Sequence, residues 1–139
     1  MPVSCVLFDF GGTLFGHAPL AATARACAVH LGHPLDEAQA GAVARDIDRA
    51  AHLPAEVARG RDLDAGVWNA RWMALYARAD GRVPGLGGAL MAHMHDPLAW
   101  RPYAGAIATL RRLADADVAV GVVSNTGWDV RDALRAHGA

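Results

Sequence analysis

Two short apolar runs lie near the two ends of this chain, and a long stretch with helical patterning separates them. Residues 3–8 (VSCVLF) and 118–123 (VAVGVV) are rich in β-branched side chains and do not alternate between polar and apolar residues. Such runs are typical of strands that are covered on both faces, as in a parallel sheet. They therefore predict an α/β fold in which two parallel strands flank a helical insert.

The stretch between the two runs carries signals for the start of helices. Asp36, with Gln39 three residues later, predicts a capped helix, and Asp64 predicts the start of another. The side chains of Trp68 and Tyr76 share one face of the second helix, which predicts a packed core. Further helices are predicted over residues 17–31, 86–95 and 103–114, with a last one from about residue 128, and residues 98–105 are predicted to be a linker.

The composition restricts the classes of partner. The 13 basic and 14 acidic side chains give these 139 residues a formal net charge of -1, and every basic side chain is Arg. This balance provides no field that attracts nucleic acid or an anionic membrane, so we expect neither as a partner. Cys5 and Cys27 lack metal-site spacing and are expected to be free thiols, and no segment looks like a membrane span, which together indicate a cytoplasmic protein.

Polar residues follow both predicted strands at their carboxyl ends, where parallel sheets bind ligands. Asp9 ends the first run, and Ser124 with Asn125 follows the second. A carboxylate in that place can act as a nucleophile or a metal ligand, and Gly11 and Gly12 let the backbone approach an anion closely. Ser124 and Asn125 are also expected to lie at the N-terminus of the last helix, which favours binding of phosphate or carboxylate.

These two segments resemble motifs of one enzyme superfamily. VLFDFGGTLF (residues 6–15) resembles the first motif of the haloacid dehalogenase superfamily, and VGVVSNTGWD (residues 120–129) resembles its second. The helical stretch between them resembles the α-helical cap of the dehalogenase and phosphoglycolate-phosphatase-like branches. The resemblance implies an incomplete haloacid-dehalogenase-like α/β core over residues 1–16 and 98–139, with the cap over residues 17–97.

The resemblance also implies roles for the residues at the strand ends. Asp9 is the implied nucleophile, forming an aspartyl intermediate that water hydrolyses. In the phosphatase branch, Asp9 and the Gly11 carbonyl would bind Mg²⁺, whereas the dehalogenases of this family need no metal. The Gly12 amide, Ser124 and Asn125 would hold the transferring group of a small anionic substrate. A small-molecule phosphatase is the first expectation, and a 2-haloacid dehalogenase is the alternative.

The sequence departs from the family at the position of Gly11. The family's phosphatases usually have an Asp there that acts as general acid, and its dehalogenases usually have an aromatic residue. Glycine has no proton to donate to a leaving group. Catalysis would then need water, another residue or an acidic leaving group.

A second departure concerns the family's third motif, a Lys or Arg, and its fourth, one or two later acids. Neither follows Ser124, and Arg131 or Arg135 is the conceivable substitute for the missing cation. We therefore expect this chain alone to be weakly active or inactive, which keeps a non-catalytic remnant or an interaction module as a further alternative. The open edge of a two-stranded sheet also favours self-association or a partner that covers it.

Overall fold

The structure is a computed structural model that describes residues 3–139. It divides into two compact units, one formed by the residues up to His17 together with Asp96–Ala139, the other by Ala18–His95. We call the first the strand unit and the second the insert. Their limits lie one or two residues from the domain limits expected from the sequence. Among the described residues, no helix is both long and apolar enough to cross a lipid bilayer.

The strand unit is built on one pair of parallel strands. Strand β1 (Cys5–Asp9) pairs with strand β4 (Ala119–Val123), with Cys5 opposite Ala119 and Asp9 opposite Val123. The predicted parallel pair is therefore confirmed, and the fold is mixed α/β. Helix α6 (Ala106–Asp115) precedes β4 and helix α7 (Arg131–Ala136) follows it.

Residues 98–105 are not the linker that the sequence predicts. Strand β3 (Arg101–Pro102) lies within them and pairs antiparallel with strand β2 (Phe15–Gly16). The Tyr103 N–H extends this contact by donating to the Leu14 carbonyl at 2.9 Å, and Trp100 is buried. This segment is ordered by residues more than 80 positions away, which local sequence patterns do not report.

The prediction that both faces of the strands are covered is wrong. Leu7 is 67% exposed and Val123 is 61% exposed, and Cys5 is exposed as well. Side chains alternate between the faces of a strand, so these residues share one face while Val120 and Val122 point to the other. Only that second face meets α6 and α7, whose side chains line an apolar cavity with the two valines.

The insert is helical throughout its regular structure. Its helices are α1 (Leu20–His30), α2 (Glu37–Ala51), α3 (Pro54–Val57), α4 (Ala65–Tyr76) and α5 (Leu86–His95), and a short 3-10 helix spans Ala77–Gly81. The predicted start of α2 is confirmed, because the Asp36 carboxylate accepts the Gln39 N–H at 2.7 Å and the Gln39 side chain accepts the Asp36 N–H at 2.9 Å. The predicted start of α4 is confirmed too, since Asp64 accepts the Val67 N–H at 2.9 Å.

The helices of the insert bury their apolar stripes against one another. The largest side chains that are fully buried are Ile47, Val83, Leu86 and Leu90. The predicted aromatic face of α4 contributes Trp68 and Tyr76 to this core.

The insert also contains one buried carboxylate. Glu56 accepts two hydrogen bonds from the Arg71 guanidinium, and Arg59 lies 3.5 Å from the same carboxylate. The Arg71 guanidinium lowers the pKa of the Glu56 carboxyl. The buried group is therefore an ion pair with its charge satisfied, which is the form that buried charges require.

Candidate functional site

The register of the sheet brings the polar strand ends together. Asp9 is the last residue of β1 and lies opposite Val123, so that Ser124 is the next residue along the neighbouring strand. Neighbouring strands are about 4.8 Å apart. Asp9 and Ser124 therefore occupy the same carboxyl edge of the parallel pair, which is where open α/β sheets bind ligands. We refer to residues 9–13 and 124–126 as the strand-end loops.

The Asp9 carboxylate is exposed and held by one local hydrogen bond. Its Oδ1 atom accepts the Phe10 N–H at 2.8 Å. Among the described residues, no Arg or His forms an ion pair with it. The bond fixes one carboxylate oxygen and leaves Oδ2 without a hydrogen-bond partner among the described residues, which is a suitable arrangement for an attacking oxygen.

The backbone after Asp9 folds back into a tight turn. The Gly12 N–H donates to the Phe15 carbonyl at 2.8 Å, and the Leu14 and Phe15 N–H groups both donate to the Phe10 carbonyl. Gly12 has φ +81°, which explains a glycine at this position. The expected anion donor, the Gly12 amide, is thus already bonded within the turn.

Two other amides of this turn are available instead. The N–H groups of Gly11 and Thr13 have no hydrogen-bond partner among the described residues, and both residues are exposed. The sequence does not identify this pair, because it does not show which of the successive amide groups forms the hydrogen bond that closes the turn. The glycine-rich composition indicates a possible anion contact but not the donors.

A cluster of aromatic side chains packs around Phe10 and Phe15 of the turn. Phe10 and Phe15 are fully buried and stacked, with ring centroids 4.9 Å apart. Trp100 and Trp128 pack on Phe10 at 5.2 and 5.6 Å, and on each other at 5.5 Å. The cluster ties the turn after β1 to the loop after β4. It gives the strand-end loops a rigid base that only long-range contacts could reveal.

The loop after β4 does not lead directly into a helix. Helix α7 begins at Arg131, several residues beyond Asn125, so the expected helix N-terminus at Ser124 and Asn125 is wrong. The Ser124 hydroxyl donates to Thr126 Oγ1 at 3.3 Å, and the Thr126 hydroxyl donates to the Trp128 carbonyl at 3.2 Å. These bonds order the loop locally, which is why the helix starts later than its sequence pattern predicts.

The arginines of α7 have carboxylate partners of their own. Arg131 forms a bidentate pair with Asp129, whose nearest contact is 2.6 Å, and Arg135 lies 3.2 Å from Asp132. The Arg131 guanidinium lowers the pKa of the Asp129 carboxyl to about 2. Neither arginine is therefore placed as the cation that would balance Asp9.

The donors near Asp9 would hold a metal ion only together with oxygens of substrate and water. Among residues 3–139, no group of three or more His, Cys, Asp or Glu side chains could hold a metal. Asp9 is the one carboxylate of the strand-end loops, so protein oxygens beyond it would have to come from the backbone. Mg²⁺ normally uses one or two carboxylates together with substrate phosphate and water.

An apolar cavity of about 400 Å³ lies elsewhere in the strand unit. Its lining combines side chains of α6, β4 and α7, including Leu110, Val120, Val122 and Leu134, with Arg111 among them. No residue of the strand-end loops lines this cavity. It is a groove between the two helices and the sheet, and Arg131 and Arg135, whose side chains are mostly exposed, also line it.

Comparisons with known proteins identify no relative. No family model matches the sequence, and no curated protein or solved structure matches it at a significant level. Any functional inference therefore depends on the geometry of the strand-end loops and on the motif resemblance.

Proposed function

We propose that the strand-end loops form the nucleophile site of a hydrolase of the haloacid dehalogenase type, foremost a small-molecule phosphatase. The observation that supports this most is the parallel register, which brings Asp9 beside the residue that precedes Ser124. Asp9 and Ser124, in the two segments that resemble the family's motifs, are 115 residues apart in sequence, yet they meet at one sheet edge. The incomplete core of that type, with the insert as its helical cap, is part of the same proposal.

The proposed reaction uses Asp9 in covalent catalysis. The free Asp9 oxygen attacks the phosphorus of a phosphomonoester, and the leaving group departs with the bonding electron pair. The Gly11 and Thr13 N–H groups and the Asn125 side chain are available to hold the phosphoryl oxygens, and the Ser124 hydroxyl would join them by turning away from Thr126. Water then attacks the phosphorus of the aspartyl phosphate, which releases inorganic phosphate and restores the carboxylate.

A divalent cation would bind this site with low affinity. Asp9 and the Gly11 carbonyl would hold Mg²⁺, with substrate oxygens and water completing its ligands. Bound Mg²⁺ would neutralise part of the charge between the nucleophile and the phosphate. Because Asp9 also lacks a cationic partner among the described residues, we expect slow turnover from this chain alone.

The test is phosphate release from small phosphomonoesters, with and without Mg²⁺, by wild type and Asp9→Asn. We expect slow release that Mg²⁺ increases and that Asp9→Asn reduces to background. Asp117→Asn is the matched control, because it makes the same chemical change in the same unit outside the strand-end loops. Release that persists in Asp9→Asn would exclude Asp9 as the nucleophile. Metal-independent halide release from 2-chloropropionate would favour the dehalogenase alternative.

A second candidate function, an interaction module, is supported by the exposed sheet face. Val3, Leu7 and Val123 are each more than 60% exposed, and Cys5 lies among them. Contiguous exposed apolar surface is typical of protein contacts. A second copy of the chain, or a partner that covers the sheet, would remove this surface from water.

A further inference from the structure

The strand-end loops contain carboxylate, hydroxyl, amide and backbone groups, but only one of these groups is a carboxyl. Asp9 is that group, and the proposed reaction uses it as the nucleophile. Thr13, Ser124 and Thr126 offer hydroxyls, and Asn125 offers an amide; none of these is acidic enough to transfer a proton readily at neutral pH. Gly11 has no side chain. The described residues of the loops thus provide no general acid.

The other titratable side chains considered in the strand unit have contacts outside the strand-end loops. Asp129 remains a carboxylate because Arg131 binds both of its oxygens. The Tyr103 hydroxyl lies over Gly16 of β2. The His17 ring packs edge-on against Trp100, with ring centroids 4.9 Å apart. The His137 ring packs on Phe15, with ring centroids 5.6 Å apart, and Trp100 borders the place of a side chain at residue 11. His17 and His137 are therefore the side chains to test as competing proton donors.

We propose that this site acts on phosphoryl donors whose leaving group departs as a stable anion, acyl phosphates foremost, and scarcely on alkyl phosphates. This inference rests on the proposed function. In the first step, the bond between Asp9 Oδ2 and phosphorus forms while the bond from phosphorus to the leaving oxygen breaks. The leaving carboxylate keeps the electron pair and needs no proton, whereas an alkoxide would need one.

The second step, hydrolysis of the aspartyl phosphate, also needs no general acid. Water forms the new bond to phosphorus, the aspartyl oxygen leaves as the Asp9 carboxylate, and the proton of water passes to solvent. The leaving group of this step is itself a carboxylate. Sensitivity to the leaving group is therefore confined to the first step, where it can be measured.

The geometry around Gly11 permits a direct gain-of-function test. A Cβ atom at Gly11 would meet Trp100 Cζ3 at 3.8 Å, which is ordinary van der Waals contact. Gly11 is not among the glycines with positive φ, so an L side chain is not strained there. Gly11→Asp therefore adds a carboxyl group to the strand-end loops with little disturbance, and Gly11→Asn adds the same shape without an acidic proton.

The experiment compares kcat/KM for acetyl phosphate, 2,4-dinitrophenyl phosphate, 4-nitrophenyl phosphate, phenyl phosphate and glycerol phosphate. For wild type we expect values that fall by about 10²-fold or more as the leaving group becomes more basic, because general acid catalysis contributes about 10²- to 10⁴-fold. Gly11→Asp should raise both the value for phenyl phosphate and its ratio to the value for acetyl phosphate by at least about 10-fold. Gly11→Asn should raise neither.

The outcomes separate this inference from the function on which it rests. Asp9-dependent turnover that is equal across the series would overturn the leaving-group inference and retain the hydrolase. Turnover of phenyl phosphate that is lost in His17→Gln or in His137→Gln would overturn it as well, since a histidine would then supply the proton. Absence of Asp9-dependent turnover for every substrate would overturn both proposals.

Discussion

The helices of the insert and the sheet of the strand unit differ in how completely their apolar side chains are covered. In the insert, Ile47 and Leu90 are 1% exposed, whereas Leu7 in the strand unit is 67% exposed. Helices can cover one another's apolar stripes within a single stretch of chain. A two-stranded sheet has two faces, and α6 and α7 meet only one of them. The comparison teaches that the insert has a core of its own, while one face of the sheet lacks a covering layer.

The largest effect on this comparison should come from truncating the core of the insert. We expect Ile47→Ala to lower the free energy of unfolding of the insert by about 2–5 kcal/mol, because it removes buried methyl groups and leaves a cavity. Urea unfolding with hydrogen exchange resolved by peptide would report each unit separately. Val29→Ala is the control, since Val29 is 59% exposed in the same unit. An equal loss of unfolding free energy in both variants would contradict the assignment of Ile47 to the core of the insert.

A smaller effect is expected from the buried ion pair, and it should depend on pH. The pKa of the Glu56 carboxyl is lowered from its ordinary value of 4.5 by Arg71. Stability from such a group is present above pH 4.5 and is lost as the pH falls through the lower folded-state value. Glu56→Gln should therefore lower the Tm of the insert at neutral pH and reduce its further loss on acidification.

The control for Glu56→Gln is Asp129→Asn in the strand unit. Asp129 also has a lowered pKa, about 2, but its pair with Arg131 is exposed, and exposed pairs contribute little to stability. Asp129→Asn should leave the acid unfolding of the insert unchanged. If Asp129→Asn changes the acid unfolding of the insert as much as Glu56→Gln does, burial does not explain the difference between the two ion pairs.

The capping interaction at the start of α2 should make a moderate contribution to the stability of the insert. Asp36→Ala removes the side-chain acceptor of the Gln39 N–H at the start of α2 and leaves only the bond from the backbone N–H of residue 36 to the Gln39 side chain. We expect a loss of about 1 kcal/mol in the free energy of unfolding of the insert, measured by urea denaturation. Asp36→Ser should recover most of it, because Ser also accepts the bond. A loss that Ser does not recover would place the effect outside the cap.

The smallest effect on stability should come from the exposed sheet face. Leu7→Ser is expected to change the free energy of unfolding by less than about 0.5 kcal/mol, because Leu7 is already in solvent. The same variant should weaken any self-association measured by sedimentation velocity, and Val123→Thr should act in the same direction. Association that neither variant alters would assign the contact to another surface.

Several features followed from the sequence alone because their interactions are local. The starts of α2 and α4 depend on bonds between residues three apart, Asp36 with Gln39 and Asp64 with Val67. The two strands were found from short apolar runs, and their carboxyl ends drew attention to Asp9 and Ser124. The parallel order of the strands was also predicted, since a helical stretch lies between them.

Other features were decided only by the tertiary structure. The exposed face of Leu7 depends on how many layers surround the sheet, and the place of Trp100 depends on Phe10 and Trp128, which are distant in sequence. The turn after Asp9 uses the Gly12 N–H to bind Phe15 and so leaves the Gly11 and Thr13 amides free. A glycine-rich motif specifies that the backbone can turn, but the closing contacts determine which donors face a ligand.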